Sequence, residues 1–139
     1  MKKVLGIMLV FVMVVSLVVS VVPAFAGPGK VAIVTNTVSQ NEEEYRSAQE
    51  MVAKYGDRIV HVTWPDNFMA EQEQMVSVVG KLAYDPDVKA LIINQAVPGT
   101  NAAVDKLLET RDDVFIVYST PQENPPDVAS RAHLILQPD

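Results

Sequence analysis

Past residue 30 the chain alternates between two kinds of apolar spacing. Five short runs, residues 31–34, 59–62, 90–93, 114–117 and 133–136, are dense in valine, isoleucine and leucine and show no polar alternation. Strands buried on both faces have that composition, so the runs predict a parallel sheet covered by helices. Between the first four runs, apolar residues recur at helical spacing. Tyr45, Ala48, Met51, Val52 and Tyr55 make the first stripe, closed by Gly56 in the C′ position. Phe68, Met75, Val76, Val79, Leu82 and Ala83 make the second, with Asn67 as its expected cap and Asp85-Pro86 as its stop. Ala103, Val104, Leu107 and Leu108 make the third. The last connection holds Pro121, Pro125 and Pro126, which predicts a loop with one helical turn near residues 127–130. The alternation of strand and helix defines an α/β fold: a three-layer, doubly wound parallel sheet of order 2-1-3-4-5 with right-handed crossovers. Each stripe reads as packing against that sheet, and its Met and Tyr residues carry no ligand role.

The first 26 residues do not join this pattern. Lys2 and Lys3 precede an apolar run over residues 4–22, and Ala24-Phe25-Ala26 supplies a small-x-small cleavage site. Residues 1–26 are therefore expected to be a signal peptide, with a mature domain of residues 27–139 in the periplasm or outside the cell. A single membrane anchor is the alternative, but no basic stop-transfer cluster follows Pro23. The chain contains no cysteine, which removes disulfides and a lipid-anchored export signal. Without Lys2 and Lys3, 9 basic residues face 17 acidic ones, a formal charge of −8 against −6 for the whole chain. That balance argues against nucleic acid and anionic membrane surfaces as partners.

In doubly wound sheets ligands sit beyond the carboxyl ends of the strands, where the strand order reverses. Four loops qualify, residues 35–41, 63–67, 94–100 and 118–124, and all are rich in hydroxyl, amide and carboxyl side chains. The ligand-binding candidates are Asn36, Thr37, Ser39 and Gln40 in the first loop and Trp64 in the second. Asn94, Gln95 and Thr100 follow in the third, and Thr120 and Gln122 in the fourth. The 94–100 segment is the most specific, because two amides, a Pro-Gly turn and a Thr-Asn helix start crowd donors and acceptors around one helix N-terminus. Trp64 offers a plane for stacking on a ligand or a cover for the sheet edge. Asn41 with Glu44, or Ser39 with Glu42, fits a capping box, and Glu42, Glu43 and Glu44 suit the positive end of a helix dipole better than a metal. The first loop lacks the glycines of a dinucleotide or phosphate fingerprint, so no cofactor is expected. His61 and His133 lie inside apolar runs and read as satisfied strand residues. No triad order, HExxH or nucleophile elbow appears, so no enzymatic activity is expected.

The segments VAIVTNTVSQNEEEYRSAQEMVAKYGDRIVHVTWPDNF, ALIINQAVPGTNAAVDK, STPQENP and ASRAHLILQPD together resemble a bacterial family of periplasmic-binding-protein-like domains of unknown function. That family is related in fold to type 1 solute-binding proteins and basic membrane lipoproteins. SQNEEEYR and INQAVPGT are the most specific parts of the match. The resemblance implies one lobe of a two-lobe receptor, with the ligand held in the cleft between lobes. It further implies a small polar solute as ligand, a membrane transporter or sensor as partner, and a missing second lobe or a second copy to complete the cleft. The readings weighed against it are a flavodoxin-like enzyme and a structural or self-association module.

Overall fold

The computed structural model describes residues 29–137. The expected signal peptide therefore lies outside the described residues. All five expected strands form: β1 (Lys30–Thr35), β2 (Ile59–Thr63), β3 (Val88–Ile93), β4 (Phe115–Ser119) and β5 (Leu134–Leu136). They make one parallel sheet in the order β2-β1-β3-β4-β5, with Val31 beside both Ile59 and Ala90, and Ile92 beside Val117. Between them run α1 (Glu42–Tyr55), α2 (Gln72–Gly80), α3 (Thr100–Leu108) and α4 (Pro125–Ala129).

Local chemistry sets most of the helix ends. Asn41 caps α1 by accepting the Glu44 N–H at 3.3 Å, and Gly56, at φ 57°, ends it in a conformation few other residues adopt. Helix α4 starts with two prolines, which tolerate a first turn that has no N–H partners. Helix α2 departs from expectation. Asn67 does not cap it, because its carbonyl accepts the Ala70 and Glu71 N–H groups in a separate turn, both at 2.9 Å. The helix begins only at Gln72, then tightens into a 3-10 turn (Lys81–Tyr84) before Asp85-Pro86 stops it.

The strand order also decides how the two faces of the sheet are covered. A right-handed crossover from β1 to β2 runs the opposite way to those from β2 to β3, β3 to β4 and β4 to β5, so α1 lies alone on one face and α2, α3 and α4 share the other. On the three-helix face, Ala32, Val34, Leu91, Ile93, Ile116 and Tyr118 pack with Met75, Val79, Ala103, Val104, Leu107 and Val128 into one sealed core. On the α1 face the strands present Val31, Ile33, Ala90, Ile92, Phe115, Val117, Leu134 and Leu136, of which Val117 is buried. Of the residues of α1 itself only Ala48 is buried, while Met51 and Tyr55 remain exposed. Beyond the reach of α1, Phe115 is 48% exposed, Leu134 46% and Leu136 49%.

The amino edge of the sheet is tied by charge. The Arg111 guanidinium donates to the carbonyls of Asp85 (2.8 Å) and Val88 (2.7 Å) and pairs with Asp113 at 2.6 Å. Lys89 joins the same carboxylate at 2.6 Å, and the two cations hold Asp113 well below the usual carboxylate range.

Candidate functional site

The carboxyl edge is organised by continuation of the strand ladders. The Asn94 N–H donates to Val34 O, the Ala96 N–H to Ser119 O and the Thr120 N–H to Leu136 O, at 2.9, 3.1 and 2.8 Å. The first, third and fourth loops therefore leave the sheet side by side, at the reversal between β1 and β3. There Asn36 Nδ2 donates to Gln95 Oε1 at 2.6 Å, so the two loops expected to share an edge are in direct contact. Asn36 is only 4% exposed, and its Oδ1 has no hydrogen-bond partner among the described residues. A buried acceptor left unmatched costs about 1–3 kcal/mol, so this oxygen needs a donor.

Glu44 reaches the same point from the first turn of α1. Its carboxylate does not turn back to the Asn41 N–H, as a full capping box requires, but accepts from the Asn36 N–H at 3.5 Å. Burial raises its pKa from the ordinary value, and the Asn36 N–H and the Asn94 side chain draw it partly back. Asn36, Asn94, Gln95 and Glu44 thus form one cluster of amides around a carboxylate.

The other expected residues divide into three groups. Thr37, Ser39 and Gln40 all turn to Asp66: Thr37 donates to its carboxylate, Ser39 does so at 2.5 Å and Gln40 donates to its backbone carbonyl at 2.9 Å. These hydroxyls hold the Asp66 pKa down and fasten the first loop to the second. Trp64 and Thr100 lie inside the molecule. The Trp64 ring, 1% exposed, belongs to the sealed core and offers no stacking plane; its Nε1–H donates to Gln95 O at 3.1 Å and so braces the site from below. Thr100 is buried and donates to Val97 O at 2.6 Å, closing its own turn. Thr120 and Gln122 flank the third loop. Thr120, at φ 43°, sets its hydroxyl 3.4 Å from Asn94 O, and the exposed Gln122 is held by its N–H to Ala96 O at 2.9 Å.

Two further carboxylates complete the edge. Glu123 accepts from the Gly99 and Asn101 N–H groups at 3.2 and 2.7 Å, filling the start of α3 from the neighbouring loop. Gly99, at φ 100°, takes a left-handed conformation that favours glycine, and a Cβ there would collide with the Gln72 side chain. Glu44, Asp66 and Glu123 were absent from the expected site. Only Glu44 had a local signal, and its place three residues after Asn41 gave it a sufficient role as a cap. His61 is satisfied: Gln49 Nε2 donates to its Nδ1 at 2.7 Å, leaving Nε2–H to donate to Thr35 Oγ1 at 2.8 Å, and burial lowers its pKa. Among the described residues no cluster of three or more His, Asp or Glu side chains is arranged to hold a metal.

Fold and edge together define a doubly wound α/β domain with a polar cluster at its topological switch point. Residues 29–139 match the family described as "Protein of unknown function (DUF3798)", and the chain belongs to that family. An uncharacterized protein of Treponema pallidum (strain Nichols) is 26% identical over 116 residues, which are 78% of this chain and 52% of that protein. The chain thus spans about half the length of that relative. Among solved structures, a crystal structure of a "Putative transcriptional regulator" from Clostridium difficile 630 superposes with a TM-score of 0.70 at 24% identity, over 77% of this chain and 33% of the other. At that identity the likeness concerns the fold alone.

Proposed function

We propose that this chain is an exported solute-binding lobe, which takes a small polar solute at the carboxyl edge of its sheet and presents it to a membrane transporter or sensor. The observation that carries the reading is the buried, unmatched Asn36 Oδ1 beside Gln95 and Glu44. It stands where doubly wound sheets bind ligands, and the resemblance of the chain to periplasmic-binding-protein-like domains supports the same edge. The reading includes no catalysis, since the histidine nearest this edge, His61, spends both ring nitrogens on Thr35 and Gln49. Export after Ala26 belongs to the proposal: material secreted by a bacterial host should begin at Gly27, and secreted material still beginning at Met1 would count against it.

One lobe supplies half of a cleft, so binding in the micromolar to millimolar range is expected, about −4 to −8 kcal/mol. A thermal-shift and calorimetric screen of amino acids, amines, nucleosides and sugars tests the reading. At least one solute should raise the unfolding midpoint, and Asn36→Ala should abolish that rise. No response to any class, or a response indifferent to Asn36, would sink it. The apolar α1 face of the sheet favours a second role for this lobe, docking of a second lobe or a second copy, because Phe115, Leu134 and Leu136 lie exposed on that one face of β4 and β5, with Leu134 beside Val117.

A further inference from the structure

We infer that the solute taken at this edge is an organic cation, an amine or guanidinium that donates to Asn36 Oδ1 and takes Glu44 as its counter-charge. The inference rests on the solute-binding reading and names the chemical class. It begins with the sites an anion would use. Helix starts attract anions through their unpaired N–H groups, but at the two that follow the strands leading into Asn36 and Gln95, those of α1 and α3, the protein's own oxygens occupy them. Asn41 Oδ1 caps α1, whose first turn is Glu42-Glu43-Glu44, and the Glu123 carboxylate holds the Gly99 and Asn101 N–H groups at α3.

Charge around the edge has one sign. Loops 36–41, 64–71, 94–99 and 120–124 contain no lysine, arginine or histidine, whereas Asp66, Glu71 and Glu123 lie within them. Arg46, in the second turn of α1, is paired with Glu42 at 2.6 Å. The basic residues Lys30, Lys89 and Arg111 gather at the opposite, amino edge. A cleft walled by one sign concentrates solutes of the other.

The two unmet needs of the site then point to one ligand. Asn36 Oδ1 requires a donor. Glu44, half withdrawn from water, has the 3.5 Å Asn36 N–H and the neutral Asn94 side chain as partners but no lysine or arginine within ion-pair distance among the described residues. A neutral hydroxyl would satisfy the first and leave the carboxylate uncompensated, and an anion would oppose both. A protonated amine satisfies both at once through charge-assisted hydrogen bonds.

The test is calorimetry and thermal shift on the purified chain with putrescine and agmatine, set against glucose and inosine as neutral solutes and citrate and inorganic phosphate as anions. Putrescine or agmatine should bind best, and Glu44→Gln should weaken that binding about tenfold, the loss of one charged contact. Glu43→Gln, one residue away on the exposed face of α1, should leave it unchanged. Equal weakening by both substitutions, or none by Glu44→Gln, would mean general attraction to an acidic surface and overturn the inference. Preference for a neutral or anionic solute, abolished by Asn36→Ala, would overturn it while leaving the solute-binding reading standing. Silence from all six probes would overturn the inference, and silence from the amino acids as well would remove the solute-binding reading with it.

Discussion

Phe115 and Ile116 are consecutive on β4, yet Ile116 is sealed in the core while Phe115 is half exposed on the opposite face. The same contrast repeats across the sheet. Leu91 and Ile93 are buried, while Ala90 and Ile92 beside them are only partly covered. Residue type does not explain it, because both faces are built from valine, isoleucine, leucine and alanine. The cause is the path of the chain: of four connections only the first crosses on the α1 side, so one helix of 14 residues must roof a five-stranded sheet. Strands and sequence runs therefore identify a buried surface only when the number of helices on each side is counted too.

Substitutions should break this comparison unequally. Leu91→Ala empties volume in the sealed core and should cost about 2–5 kcal/mol, whereas Phe115→Ala on the other face should cost under about 1 kcal/mol. Chemical denaturation of the two variants, dilute enough to keep the chain monomeric, checks the difference, and equal costs would mean that the α1 face is covered within the monomer itself. Association comes next in size. At concentrations well above those of the denaturation series the purified chain should sediment above its monomer mass, and Phe115→Ser with Leu136→Ser should return it toward monomer and remove the concentration dependence of its midpoint.

Acid should act on the α1 face through His61. Burial lowers its folded-state pKa below the ordinary 6.5, so the neutral ring stabilises the fold fully above pH 6.5 and that contribution is lost as pH falls through the folded value. A midpoint series from pH 7.5 to 5 should be flatter for His61→Gln than for the parent chain. Glu44 carries the smallest effect and the opposite sign. Its folded-state pKa is raised above 4.5, so its charged form opposes folding at neutral pH and protonation relieves that strain. Glu44→Gln should raise the midpoint slightly at pH 7 and lose that advantage near pH 4, even as it weakens amine binding.

The strands, their order and three of the four helices were legible because their signals are local and redundant: β-branched runs, apolar stripes, Gly56 and Asp85-Pro86. The start of α2 was not, since Asn67 is as good a turn former as a cap and only the turn's hydrogen bonds separate the two. At the site, Asn36 and Gln95 followed from the rule for strand ends. Trp64 and Thr100 also stand at strand or helix ends, but their burial is decided by elements distant in sequence. Glu44 was hidden by its own plausibility as a cap, because its reach toward Asn36 and Asn94 appears only once β1 and β3 are neighbours. The uneven roofing of the sheet was present in the expected strand order, had each crossover been assigned a side.

The position of β1 has a consequence for how the molecule is made. The first of the described strands lies inside the sheet, flanked by β2 and β3, and Val31 meets Ala90 only after more than half of the described residues have emerged. Local pairing cannot hold it in the meantime, because parallel neighbours are joined through whole crossovers and closure entropy precedes any reward. A chain ending at Thr63 should therefore show little ordered structure by circular dichroism, while one extended through Ile93 should acquire it. During the interval the apolar strands β1 and β2 are unsheltered, so the nascent domain should be prone to aggregation until β3 pairs with β1.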